Sequence, residues 1–278
     1  MAHPVTIQRA LQQGCALLEE AGVSAPRLTA EVLLCHTLGC ERSYLYSHPE
    51  AELSHGQYVR YGRSLFERLG GKPTQYITGR QEFYGREFLV TPDVLIPRPE
   101  TEHVVEAALA FARNARRLVD VGCGSGAIAV TLGLECDAEV WAVDVSIAAL
   151  KVAHRNACRL GARVQFLAAD LLSCFAGRSL DLVVCNPPYV ARSEEAGLQR
   201  EVREHEPHIA LFAGQTGLEI YQRLIAQAAG VLRPGGVLVL ELGYRSCEDV
   251  RAMLGPPWRN VQVREDLAGI PRVLSATL

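Results

Sequence analysis

From Arg116 onward, apolar runs with the period of strands alternate with longer runs with the period of helices. The segments RRLVDVG, AEVWAVDV, ARVQFLAAD, LDLVVCN and VLVLELG read as strands, short and apolar almost throughout. Between them GAIAVTLGL, SIAALKVAHRNACRLG and GLEIYQRLIAQAAGVLRPGG read as helices, the last ending at Pro-Gly-Gly, and CEDVRAML follows as a short one. Strands apolar on both faces must be covered on both faces. The alternation therefore predicts a mostly parallel α/β sheet, doubly wound through right-handed crossovers. The tail VQVREDLAGIPRVLSATL predicts a closing pair of strands. In such a sheet, ligands bind beyond the carboxyl ends of the strands, so the residues leaving each strand carry the functional argument.

The composition sets the class. Of 278 residues, 49% are apolar and 21% charged, as in an ordinary globular protein. No apolar run approaches the ~20 residues of a membrane span. MAHPVTIQRALQQG lacks the pattern of a secretory signal, so a cytoplasmic protein with no membrane partner is expected. The net charge of -3 shows no basic excess for a phosphate backbone, and no nucleic acid partner is expected. Nine cysteines occur without a CxxC pair or zinc-like spacing. No metal site is expected, and the thiols read as small buried side chains.

Residues 1–75 read as a small all-helical domain. Ile7, Leu11, Cys15 and Leu18 mark one stripe. Pro26 opens a second helix with Leu28, Val32, Cys35 and Leu38 on one face. Ser54 and Gln57 suggest a capping box for a third, whose stripe is Tyr58, Tyr61, Leu65 and Leu69 and whose end is Gly70-Gly71. Residues 76–100 read as a linker with a short hairpin and a loop stiffened by Pro97 and Pro99. A helix is expected from Thr101, with Val104, Val105 and Ala108 inward, opening a Rossmann-like domain over 101–278.

Two strand exits stand out. VDVGCGSGAIAV places Gly122, Gly124 and Gly126 where missing Cβ atoms allow a ligand close to the backbone. Asp144 ends the next strand, where a carboxylate can accept ribose hydroxyls. Gly122-x-Gly124-x-x-Ala127 fits the loose dinucleotide pattern. The early third glycine, and Asp120 ahead of the loop, look more like the S-adenosylmethionine form. Asp170, after the third strand, is placed to reach adenine or to cap a helix. The second exit is Asn186-Pro187-Pro188-Tyr189. Neither proline can donate to a sheet ladder, so the chain must leave as a rigid loop.

NPPY at this position resembles the signature of methyltransferases acting on planar nitrogen. Such a nitrogen is a poor nucleophile and must be held in line, with its N–H bonds on acceptors. The side-chain oxygen of Asn186 and the carbonyl of Pro187 can be those acceptors, and Tyr189 can lie on the flat group. The same loop would also serve a DNA or RNA adenine or cytosine amino-methyltransferase.

Over most of its length the chain resembles the HemK/PrmC family of release factor glutamine methyltransferases. The resemblance rests on PxQYIxGxxEFYG at Pro73–Gly85, LIPRPETE at Leu95–Glu102, DVGCGSGAIAV, Asp144, NPPYV, GLEIYQRLIAQA and LxPGGxLxLELG. It implies a seven-stranded methyltransferase sheet and S-adenosyl-L-methionine as cofactor. It also implies class 1 peptide chain release factors as the protein substrate, docked by the helical domain onto a monomeric enzyme. By the family pattern Asp120, Gly122, Cys123, Gly124, Ser125, Gly126, Asp144, Asp170, Leu171 and Asn186 belong to the cofactor site. Asn186 through Tyr189 hold the glutamine, while Arg98, Glu100 and Thr101 cover the pocket or form a local ion pair. Two departures are visible: Leu171 stands where many members carry an aromatic residue, and no glutamine lies near Ser246–Cys247.

Overall fold

The computed structural model describes residues 5–278. In chain order it contains α1 (Ile7–Glu20), α2 (Pro26–Leu38), α3 (Arg42–Ser47), α4 (His55–Leu69), α5 (Thr74–Thr78), β1 (Arg80–Phe83), β2 (Arg86–Leu89), α6 (Glu102–Ala112), β3 (Arg117–Val121), α7 (Ala127–Glu135), β4 (Glu139–Asp144), α8 (Ile147–Leu160), β5 (Val164–Ala168), β6 (Leu180–Cys185) and β7 (Val190–Ala191). Then follow α9 (Arg200–His205), α10 (His208–Leu211), β8 (Phe212–Gly214), α11 (Glu219–Val231), β9 (Leu232–Glu241), α12 (Cys247–Ala252), β10 (Arg259–Glu265) and β11 (Pro271–Thr277). The described residues separate into two compact units. One runs to Gly79 and includes Gln199–His205; the other holds Arg80–Leu198 and Glu206–Leu278.

The first unit is helical. Its core joins Ile7 and Leu18 of α1, Leu33 and Leu34 of α2, Leu45 of α3, and Tyr61 and Leu65 of α4. Burying each such side chain stabilises the unit by ~1.5–3 kcal/mol. Ser54 caps α4 through the reciprocal bonds with Gln57, at 3.3 and 2.8 Å. The face expected for α2 is turned. Leu28 is exposed, and Ala30, Leu33 and Leu34 are buried instead, because Glu31 is also drawn inside. Arg27, Arg42 and Tyr46 hold its carboxylate. A buried acid needs such partners, and they fix the rotation of the helix.

In the second unit β1 and β2 form a hairpin whose turn residues, Tyr84 and Gly85, have φ of 52° and 67°. This is the two-residue turn that matches strand twist. Seven strands make the main sheet, in the order β10-β11-β9-β6-β3-β4-β5. Pairings from β9 through β5 are parallel, while β11 pairs antiparallel with β9 and β10. The doubly wound sheet is thus mostly parallel, as the alternation predicts. Helices α6, α7 and α8 contribute to the apolar core on one face, and α11 and α12 to the core on the other.

The chain order reverses at β3. β4 and β5 lie on one side and β6 and β9 on the other, so the β3/β6 boundary is the switch point where a crevice opens. One boundary differs from the sequence reading. Pro234-Gly235-Gly236 does not end α11; the helix stops at Val231, and these residues lie inside β9. Against β6 the register shifts between the Leu180–Leu232 and Leu182–Val237 pairs, and Pro234 sits in that irregular stretch, where it costs no ladder bond.

Candidate active site

Gly122, Gly124, Asp144, Asp170, Leu171, Asn186 and Pro188 line one cavity of about 310 Å³ at the switch point. The exits of β3, β4, β5 and β6 therefore converge. A Cβ built on Gly122 or Gly124 meets nothing within 4 Å, and both have positive φ, at 72° and 53°. The missing side chains leave open space. The Asp144 carboxylate bridges this floor, accepting from Gly124 N at 2.9 Å and Ser146 N at 2.8 Å. Burial pushes its carboxyl up, against the pull of those N–H groups. Each oxygen keeps a second acceptor position for a ligand hydroxyl. An open backbone floor beside a fixed carboxylate fits the nucleoside end of S-adenosylmethionine.

Other predicted residues lie behind this surface. Asp120 is buried in β3, and its Oδ2 accepts from Ala129 N at 3.0 Å, inside the first turn of α7. It therefore satisfies one of the N–H groups at the start of α7 from behind the cavity, while Oδ1 has no hydrogen-bond partner. Burial raises its carboxyl to about 7. Gly126 is a packing glycine: an added Cβ would stand 2.9 Å from Ala153 Cβ of α8. Cys123 and Ser125 are buried, and burial pushes the Cys123 and Cys185 thiols well up. The buried reading fits these two cysteines; Cys158 and Cys174 are exposed.

Asp170 caps no helix, since residues 171–174 form a turn with Leu171 at φ 51°. Its carboxylate instead meets Arg223 at 2.5 Å on the cavity wall.

The Pro97–Pro99 loop differs most from expectation. The cavity is lined by Asp93, Val94 and Leu95, upstream of Arg98, Glu100 and Thr101. Arg98 pairs with Glu206, not with Glu100, and Glu206 also accepts from Ile96 N at 3.2 Å. Thr101 is buried inside the site: its hydroxyl donates to Glu241 Oε2 at 2.6 Å and accepts from Asn186 Nδ2 at 3.2 Å.

The NPPY loop parts two cavities. Asn186 and Pro188 face the first. Tyr189 lines a second, of about 640 Å³, with Ser193, Glu194, Gly217 and Tyr244. Two glycines stand against Tyr189: a Cβ on Gly243 would fall 2.8 Å from its ring Cδ2, and one on Gly217 2.6 Å from its backbone carbonyl oxygen. Its hydroxyl reaches Glu241 Oε1 at 3.5 Å.

Three supporting residues were missed by the sequence reading. Asn156, fully buried in α8, accepts from Leu89 N and donates to Leu89 O and Ser125 O, at 2.8 to 2.9 Å. It ties the hairpin and the glycine loop to one helix. Its signal was a polar residue among Val152, Ala153 and Ala157 on an inward face. Glu241, at the end of VLVLE, is a charge in an apolar strand. Glu206 gave no comparable signal.

Among the described residues no cluster of His, Cys, Asp and Glu could hold a metal ion.

Known proteins resemble this chain in sequence and in fold. Residues 9–79 match the PrmC N-terminal domain, and residues 103–204 the methyltransferase small domain. A methyltransferase structure from Pyrococcus furiosus covers 79% of this chain and 98% of its own, with a TM-score of 0.53 at 17% identity, which shows the fold alone. The release factor glutamine methyltransferase of Koribacter versatilis is 47% identical, covering 97% of this chain and 98% of its own. That of Bacillus subtilis is 40% identical over 98% of each. On this similarity along its whole length, the chain belongs to the release factor glutamine methyltransferase family.

Proposed function

We propose that this protein transfers a methyl group from S-adenosylmethionine to the side-chain amide nitrogen of the glutamine in the Gly-Gly-Gln motif of class 1 release factors. The observation that carries the reading is that Gly122, Gly124, Asp144 and Asn186 share one cavity, with Tyr189 facing the next. The relatives' names supply the substrate.

In this reading the first cavity takes the methyl donor and the second admits the glutamine, and they meet at the NPPY loop. S-adenosylmethionine supplies a methyl group already activated on a sulfonium. Asp144 binds the ribose hydroxyls and the Gly122–Gly124 floor approaches the cofactor. Asn186 Oδ1 and the Pro187 carbonyl accept the two N–H bonds of the substrate amide. As that nitrogen gains positive charge, these bonds strengthen, so they stabilise the transition state more than the ground state. Tyr189 packs on the amide plane. Orientation supplies much of the rate, and the methylated nitrogen, now cationic and strongly acidic, loses its extra N–H proton to water, so no strong base is needed.

The helical unit is the docking domain in this scheme, and the enzyme works as a cytoplasmic monomer on protein rather than nucleic acid. The net charge of -3 supports a protein substrate. No helix among the described residues is long and apolar enough to cross a membrane.

The test is mass spectrometry of a release factor incubated with the protein and S-adenosylmethionine, with a DNA oligonucleotide in parallel. One added methyl on the Gly-Gly-Gln glutamine is expected. Methylated DNA with an unmodified peptide would overturn the substrate.

A further inference from the structure

The amide of Asn186 can face the substrate in two ways, and only one is productive. With Oδ1 forward it accepts an N–H; with Nδ2 forward it repels one. The residues behind it decide. An ionised carboxylate only accepts hydrogen bonds. Glu241 therefore requires the Thr101 hydroxyl to donate its single proton to Oε2, 2.6 Å away. The Thr101 oxygen then has only lone pairs to offer at 3.2 Å, and the Asn186 atom that meets it must be the Nδ2 donor. Asn186 lines the cofactor cavity, so Oδ1 is the atom left for the substrate.

We propose that Glu241, acting through Thr101, is the positioning residue that sets the amide of Asn186 with its oxygen toward the substrate. This rests on the function proposed above and assigns part of its chemistry to two residues that do not touch the reacting nitrogen.

The relay is closed off from competing donors. Glu241 and Thr101 are 1% and 4% exposed, so water does not scramble the bond directions. Tyr189, from the NPPY loop, donates to the other carboxylate oxygen. Tyr221 of α11 donates to the Glu241 carbonyl at 2.8 Å, which anchors the strand end. The charges facing Glu241 are Arg272 of β11, which favours its ionised form, and Glu100 ahead of α6, which opposes it. Burial pushes the Glu241 carboxyl up to about 7. A protonated Glu241 could donate to Thr101, whose hydroxyl would then donate to Asn186 and turn its amide around. Turnover accordingly rises with pH as Glu241 ionises.

The experiment measures kcat and KM for release factor methylation, and binding of S-adenosylhomocysteine, in the full-length protein between pH 5.5 and 9. Thr101→Val keeps the shape and removes the hydroxyl. It lowers kcat roughly 10–100-fold, as loss of a supporting hydrogen bond does, with KM and cofactor affinity within about twofold of wild type. Thr101→Ser restores kcat, which a purely structural loss at this position would not allow. Glu241→Gln abolishes the neutral-pH limb of the kcat profile, since it has no charge to gain. Unchanged kcat in Thr101→Val, or a limb that persists in Glu241→Gln, overturns the proposal. Wild-type enzyme that leaves the glutamine unmodified would instead refute the function, so the two failures are distinct.

Discussion

A single missing methyl group leaves room for the Tyr189 ring at Gly243. An added Cβ at Gly243 would lie 2.8 Å from Tyr189 Cδ2 and 3.0 Å from Cγ. These are ring atoms and cannot move aside as a flexible tip would. Gly243→Ala should therefore displace the ring, lowering kcat by roughly tenfold or more, as a misplacement of about 1 Å does. Cofactor affinity should hold, because Tyr189 lines the second cavity and not the first. Isothermal titration with S-adenosylhomocysteine beside steady-state kinetics would check both, and a weakened Kd with unchanged kcat would contradict this account. The opposite split is expected at Asp144. Asp144→Ala removes a charged acceptor and should weaken S-adenosylmethionine binding ~10–100-fold. Asn186→Ala should cut turnover ~100-fold or more while leaving the fold intact, since it removes an acceptor and little core volume. Asn186 and Asp144 were legible in the sequence, because polar residues at strand exits are exposed to function by topology alone. Gly243 was not, because nothing in the chain shows which ring will lean on it.

At the scale of elements, Asn156 joins pieces that the sequence presents as separate. It links Leu89 at the end of β2, Ser125 in the glycine loop and its own helix α8. Asn156→Ala leaves a buried N–H and two carbonyls without partners. The expected cost is about 3 kcal/mol, at ~1 kcal/mol for each bond lost. Thermal melting should fall by several degrees, with weaker cofactor binding from a loosened glycine loop. A variant that melts with wild type would show the hairpin is held by Phe83 and Phe88 alone. The long elements were legible, since β3, β4, β6 and α8 carry periodic apolar patterns over many residues. The short ones were not. α3, α5, α9 and α10 run six residues or fewer, too short for a periodicity to declare itself. The pair β7 and β8 was missed because its strands have only two and three residues. α9 was beyond reach for another reason: it belongs to the helical unit, where Arg68 meets Glu201 at 2.5 Å, more than a hundred residues along the chain.

The molecule as a whole carries two buried acids in its central sheet, and they shape its stability against pH. Asp120 on β3 and Glu241 on β9 are each 1% exposed, and burial raises each carboxyl to about 7. In the unfolded chain both would ionise near their ordinary values of 3.8 and 4.5. Between those values and about 7 the folded state binds more protons than the unfolded state. Stability therefore falls as pH rises through that window. At ~1.4 kcal/mol per unit, the loss is on the order of 4 kcal/mol for Asp120 and on the order of 3 kcal/mol for Glu241. Groups with the opposite shift act elsewhere: Glu219, lowered to about 2 by the N–H of Thr216, loses its contribution only below about 4.5. Asp120→Asn isolates one term, because the amide oxygen still accepts from Ala129 N and never ionises. Urea melts of both proteins should coincide near pH 4 and separate by pH 8, with the variant the more stable by a few kcal/mol. A difference that stays constant from pH 4 to pH 8 would mean that Asp120 ionises normally in the folded protein. Its unpartnered Oδ1 would then have to find a donor on some path from the cavity.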